Sequence, residues 1–131
     1  MIGIDTNVLV RYIAQDDPLQ SPKATKLIEQ VCDSATPGFI GLVVLVELVW
    51  VCESCYGAAR VEVVEILRRI LSTRQLMVQE AEIVWKALRA FEAGTADFSD
   101  CLIERMGNAA GCSAMMTFDK AAAAAGMALL Q

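Results

Sequence analysis

The chain has 131 residues, 56% of them hydrophobic, a formal net charge of −5 and no histidine. A chain of this length suits one domain and buries enough surface to do without a disulfide or a structural metal. The missing histidine removes Ser-His-Asp and Cys-His hydrolases, His-based zinc sites and nucleases with a His general base. The acidic balance opposes an electrostatic grip on nucleic acid, unless the negative charge gathers where a cation sits.

Ile2-Gly3-Ile4 begins with apolar strand formers, and at Asp5 helical spacing takes over, with Val8, Arg11 and Tyr12 recurring at i, i+3 and i+4. This predicts a very short strand, a tight Asp5-Thr6-Asn7 junction and a helix. Two readings of the junction fit. Its residues are ordinary helix caps. Equally, the carboxyl end of a strand in an α/β sheet is where ligands sit, which would aim Asp5 into a crevice.

Asp16-Asp17-Pro18 predicts a loop, and Ser21 with Pro22 at the first helical position predicts a helix start. That helix runs to Val31 and breaks at Thr36-Pro37-Gly38, before a brief strand at Phe39-Ile40. Leu42 to Tyr56, followed by Gly57, predicts a buried helix. Arg60 to Leu71 predicts an amphipathic helix with Val63, Val64, Leu67 and Ile70 on its apolar side. Leu76-Met77-Val78 predicts a strand and Glu80 to Ala93 a helix ended by Gly94. A loop over Thr95–Ser99 leads into a helix from Asp100 to Ala110. Ala114 to Phe118 predicts a strand, Asp119 to Ala125 an alanine-rich helix, and Met127 to Leu130 a last strand. Strands alternating with helices define an α/β domain with a mainly parallel sheet, spanning residues 1–131 as one unit.

The longest apolar run, Phe39 to Val46, stops at Glu47, well short of the roughly 18 to 20 residues of a membrane span. No basic region followed by a long apolar one precedes it, so the expected compartment is the cytoplasm, with no membrane partner. Cysteines at 32, 52, 55, 101 and 112 read as reduced, buried structural thiols, since Cys52-Glu53-Ser54-Cys55 has neither a second pair for zinc nor a thioredoxin-like context.

Four carboxylates share one kind of setting: Asp5 and Asp119 each follow a strand, Asp100 opens a helix, and Glu47 interrupts Leu42-Val43-Val44-Leu45-Val46 and Leu48-Val49-Trp50. A buried Glu47 needs either a basic partner or a cation. Asp97, three residues before Asp100, also reads as an N-cap. A single parallel sheet would end the strands before Asp5 and Asp119 on the same edge. Like charges about 5 Å apart repel by roughly 3 kcal/mol at an effective dielectric of about 20. Gathered acids would therefore need a proton, a basic partner or a hard cation, and all-oxygen ligands suit Mg²⁺ or Mn²⁺.

Ile4-Asp5-Thr6-Asn7-Val8-Leu9, Val46-Glu47, Ala96-Asp97-Phe98-Ser99-Asp100-Cys101-Leu102-Ile103 and Thr117-Phe118-Asp119-Lys120, in this order, resemble the PIN-domain family, and within it the VapC-type toxin ribonucleases. The resemblance covers nearly the whole chain. It implies a three-layer α/β/α sandwich around a central, mainly parallel sheet. It assigns catalysis and metal ligation to Asp5, Glu47, Asp100 and Asp119. It gives Thr6, Asn7, Thr117 and Asp97 accessory roles, and it implies Mg²⁺- or Mn²⁺-dependent hydrolysis of RNA. Arg11 and Lys120 are the candidates for RNA-backbone contacts. The toxin reading adds an antitoxin partner and a homodimer.

Other readings meet specific obstacles. A PIN-like nuclease of RNA processing would need no antitoxin, and a catalytically silent protein-binding module would not need the intact acids. A haloacid-dehalogenase-like phosphatase needs a second Asp at position 7, which is Asn. A phospho-accepting receiver domain leaves Glu47 without a role.

Overall fold

A computed structural model describes residues 1–131. Seven α-helices and five short strands divide into two compact units, Met1–Gln79 and Glu80–Gln131. Every strand pair is parallel, so the chain is a helix-rich α/β protein, as the alternation of elements implies. None of its helices is long and apolar enough to cross a membrane.

The first unit holds a three-stranded sheet ordered β1 (Ile2–Gly3), β2 (Gly38–Ile40), β3 (Leu76–Val78). Gly38 pairs with Ile2 on one side and with Leu76 on the other. A Cβ at Gly38 would stand 3.0 Å from Ile4 Cγ1 and 3.1 Å from Leu76 Cδ2, so only glycine lets these neighbours close in. Between β1 and β2 run α1 (Thr6–Ala14) and α2 (Gln20–Lys26), the latter continuing into a π-helical turn, Leu27–Val31. Between β2 and β3 run α3 (Leu42–Tyr56) and α4 (Arg60–Ser72). The core of the unit is Leu9, Ile28, Ile40, Leu45, Leu48 and Leu67, all fully buried. Helix α3 starts at Gly41, which has no side chain to cap it, and Gln79 Oε1 beyond β3 accepts the Leu42 N–H at 3.0 Å instead.

The second unit pairs α5 (Ala81–Ala93) with α6 (Phe98–Ala109). Phe91 and Phe98 meet edge to face, centroids 5.9 Å apart and planes at 85°, a favoured aromatic geometry. Val84, Ala87, Leu88, Cys101 and Leu102 fill the rest of the seam. Then β4 (Met116–Thr117), α7 (Lys120–Ala123) and β5 (Ala128–Leu129) form a parallel pair, Met116 opposite Ala128 and Thr117 opposite Leu129. Gly126, at φ 104°, makes the turn that returns the chain.

Four local expectations change. Helix α2 begins before Ser21, because Asp17 Oδ1 accepts the N–H groups of Leu19 and Gln20, at 2.9 and 2.7 Å, and does the capping. Ser21 is buried, and its hydroxyl donates to the Arg11 carbonyl. Helix α3 is not buried all round, since Val43, Glu47 and Trp50 are exposed. The strands before Asp5 and Asp119 belong to separate sheets rather than to one edge. Of the five free thiols, Cys32, Cys52 and Cys101 are buried but Cys55 and Cys112 are exposed.

Candidate active-site acids in each unit

In the first unit, β1 ends at Gly3, two residues before Asp5, which takes the N-cap position of α1, with φ −83° and ψ 161°. Its Oδ1 accepts the Thr6 N–H at 2.7 Å, and the helix N-terminus favours negative charge there. Thr6 is buried, and its Oγ1 donates to Glu47 Oε1 at 3.1 Å across forty-one positions of sequence. One threonine thus holds two carboxylates, Asp5 through its backbone and Glu47 through its hydroxyl. Both acids line a cleft of about 330 Å³ with Thr6, Asn7, Val10, Arg11 and Val51. Asn7 is exposed at its mouth. A larger hollow of about 670 Å³ lies over Leu9, Tyr12, Ile66 and Ile70. Its one carboxylate, Glu29, accepts the Tyr12 hydroxyl.

Arg11 borders the acid cleft but directs its charge elsewhere. Its Nε donates to Gln20 at 2.8 Å, and its guanidinium faces Asp16 at 3.4 Å and Asp17 at 4.0 Å. Arg11, Gln20 and Lys23 line a neighbouring pocket of about 280 Å³, with Asn7 common to both hollows.

In the second unit, Asp97 takes the N-cap position of α6, yet its side chain makes no capping bond. It turns to Asp100 instead. Burial pushes the Asp100 carboxyl above the ordinary aspartate range; the charge of Asp97, a hydrogen bond with Asp97 and the charge of Asp119 push it the same way. Asp119 caps α7, its Oδ1 accepting the Ala121 N–H at 2.9 Å, and its own N–H donates to Thr117 Oγ1 at 3.0 Å. Thr117 therefore sets the loop that carries Asp119. Lys120 follows, exposed.

The structure brings Asp5, Thr6, Asn7 and Glu47 together in one unit, and Asp97, Asp100, Thr117 and Asp119 in the other. The ion pairs of Arg11, of Arg69 with Glu65 and of Arg105 with Glu104 include none of the five acids. No three carboxylates or thiols stand close enough to hold a metal between them. The donors do suit a hard dication in kind, being oxygen throughout, and Mg²⁺ commonly binds through one or two carboxylates and keeps several waters. The sequence reading missed Val51, which lines the cleft one helical turn beyond Glu47; the four-residue spacing was the available signal.

The fold defines a class: a helix-rich α/β protein whose strands all pair in parallel. Residues 2–126 match the PIN domain family, and the chain belongs to it. PIN domains are generally nucleases. Neither the curated proteins nor the solved structures give a match to the chain.

Proposed function

We propose that the chain is a metal-dependent endoribonuclease that hydrolyses RNA phosphodiester bonds. Asp5 and Glu47 in the first unit, and Asp100 and Asp119 in the second, are assigned to Mg²⁺ or Mn²⁺, and residues 1–131 to a single domain. The observation that carries this reading is electrostatic. Asp100 is pushed toward its protonated form by burial first and by Asp97 and Asp119 after it, while Asp5 and Glu47 share the neutral donor Thr6. None of these acids is in the ion pairs of Arg11, Arg69 or Arg105, and the family supplies the reason for gathering such acids.

A bound divalent ion supplies water acidic enough to attack at neutral pH and offsets charge on the phosphate. The chain's own residues do the positioning. Thr6 fixes the separation of Asp5 and Glu47, and Thr117 fixes the loop bearing Asp119. Asp97 places its charge beside Asp100. Arg11 and Lys120 contact the RNA backbone, Arg11 after exchanging its Asp16 and Asp17 partners for phosphate.

Within the family we assign the chain to the VapC-type toxins, on the motifs around Asp5, Asp97 to Asp100 and Asp119. That assignment brings a cytoplasmic location, an antitoxin partner and a homodimer. A PIN nuclease of RNA processing is the second reading, and co-purification with the product of an adjoining small reading frame separates the two. For the activity itself, the purified chain with Mn²⁺ is expected to cut single-stranded RNA, and chelator is expected to abolish cutting. If Asp5→Asn cuts RNA like the parent chain, the assignment is wrong.

A further inference from the structure

Beside the Asp5–Glu47 cleft lies the hollow of about 280 Å³ between α1 and α2. The two share Asn7 and Arg11 as walls. Their chemistry is opposite. The cleft carries two carboxylates, whereas the hollow carries Arg11 and Lys23 and no acid, with apolar surface from Val8 and Leu27.

The polar groups of the hollow offer hydrogens. Arg11 can only donate, so its Nε–H fixes the Gln20 amide: Oε1 accepts at 2.8 Å and both Nε2 hydrogens are left over. Lys23, one helical turn after Gln20 on the same face, is exposed and takes no acid as partner. Arg11 is held by Asp16 and Asp17, and Asp16 in turn accepts the Tyr56 hydroxyl at 2.8 Å, so the ready cation is Lys23. Donors around one unpaired cation fit a group that only accepts, and in a nucleic acid that group is the phosphate. A bare anion would leave Val8 and Leu27 unused, whereas a nucleotide brings apolar surface with its phosphate. Because hollow and cleft share a wall, one strand reaches both: a phosphodiester at the cleft puts the next nucleotide at the hollow.

We propose that this hollow is a subsite for the nucleotide beside the one whose phosphodiester bond is cut, with the flanking phosphate on Lys23 and the Gln20 Nε2 hydrogens and the ribose over Val8 and Leu27. The inference rests on the ribonuclease reading and adds to it a second phosphate contact, made by residues that do not line the acid cleft. The contact is remote from the bond that breaks, so it acts on the hold on the strand and is read in KM. It also answers the net charge of −5, since an uncompensated lysine beside the cleft attracts the backbone locally.

The test reads binding of a labelled, non-cleavable 2′-O-methyl RNA strand by fluorescence anisotropy in Mn²⁺, with its phosphodiesters replaced one at a time by an uncharged methylphosphonate. Binding is expected to weaken at two neighbouring positions, one at the cleft and one at the hollow. Lys23→Ala is expected to weaken the unmodified strand by about fivefold and to lower the slope of log Kd against log salt concentration by about 0.7, the share of one phosphate contact on a single strand. In that variant the flanking methylphosphonate is expected to cost nothing further, while the one at the cleft costs as much as before, a distinction that a general loss of structure would not make. Lys23→Arg is expected to recover most of the loss, and both variants should melt like the parent, since Lys23 is exposed. No binding of the strand, an unchanged Kd in Lys23→Ala, or equal methylphosphonate losses in Lys23→Ala and the parent at every position overturns the subsite. Binding that depends on Lys23 and on the flanking phosphate, in a chain that cuts no RNA with Mn²⁺, keeps the phosphate site and removes the ribonuclease reading. Cutting without that dependence does the reverse.

Discussion

The acids of the first unit are held by a donor of the protein, whereas those of the second are held against one another. Asp5 and Glu47 both terminate on Thr6, a buried side chain on the first turn of α1. Asp97, Asp100 and Asp119 have capping and backbone bonds around them, but the Asp100 carboxyl faces like charge and is pushed up. One set is positioned by a neutral donor, and in the other burial and like charge together disfavour the ionised Asp100.

The broadest way to break the comparison is to ask whether the units fold separately. Phe91→Ala removes half of the edge-to-face pair in the second unit, and a loss of about 3 to 5 kcal/mol is expected. If residues 1–131 form one cooperative domain, calorimetry shows a single transition moved to lower temperature. Two transitions, with only one moved, would divide the chain.

Next comes Asp5→Asn, expected to lower kcat by about 100- to 1,000-fold in an RNA cleavage assay with Mn²⁺, the scale of losing one preorganised charge contact in an active site. Thr6→Val is expected to cost about 10- to 100-fold, the usual effect of removing a group that orients ligands, with Thr6→Ser restoring most of it. Equal activity of Thr6→Val and the parent chain would show that preorganisation in the first unit has no functional weight.

The smallest effect is on stability against pH, measured in chelator. The folded-state pKa of Asp100 is raised, so its contribution to stability is fully present below the ordinary aspartate value and is lost as pH rises through the raised one. Thermal stability should therefore decline slightly over that window. The change should stay under about 1 kcal/mol, because water screens carboxyls this exposed. Asp97→Asn, which removes a neighbouring charge, should shrink the decline. A rise in stability over the same window would mean that Asp97 and Asp119 do not act on Asp100 as described.

Legibility differed by element. Helices α3 and α4 and strand β3 lie where apolar spacing places them, because periodicity and the Gly57 stop act within one stretch of chain. The start of α2 was misplaced, because Asp17, not Ser21, reaches the orphan N–H groups. Asp97 shows the limit of local rules: it occupies the N-cap, but its side chain answers to Asp100.

From its letters alone the chain determined its class, parallel α/β, and the identity of its acids, since strand, helix and cap preferences are local and the absence of histidine is visible at once. Only the tertiary structure decided that Glu47 and Trp50 face outward, that Thr6 joins Asp5 to Glu47, and that β1 and β4 lie in separate sheets. Each of these depends on what a distant segment covers or donates. Spacing along the chain records which residues share a face, but not what that face meets.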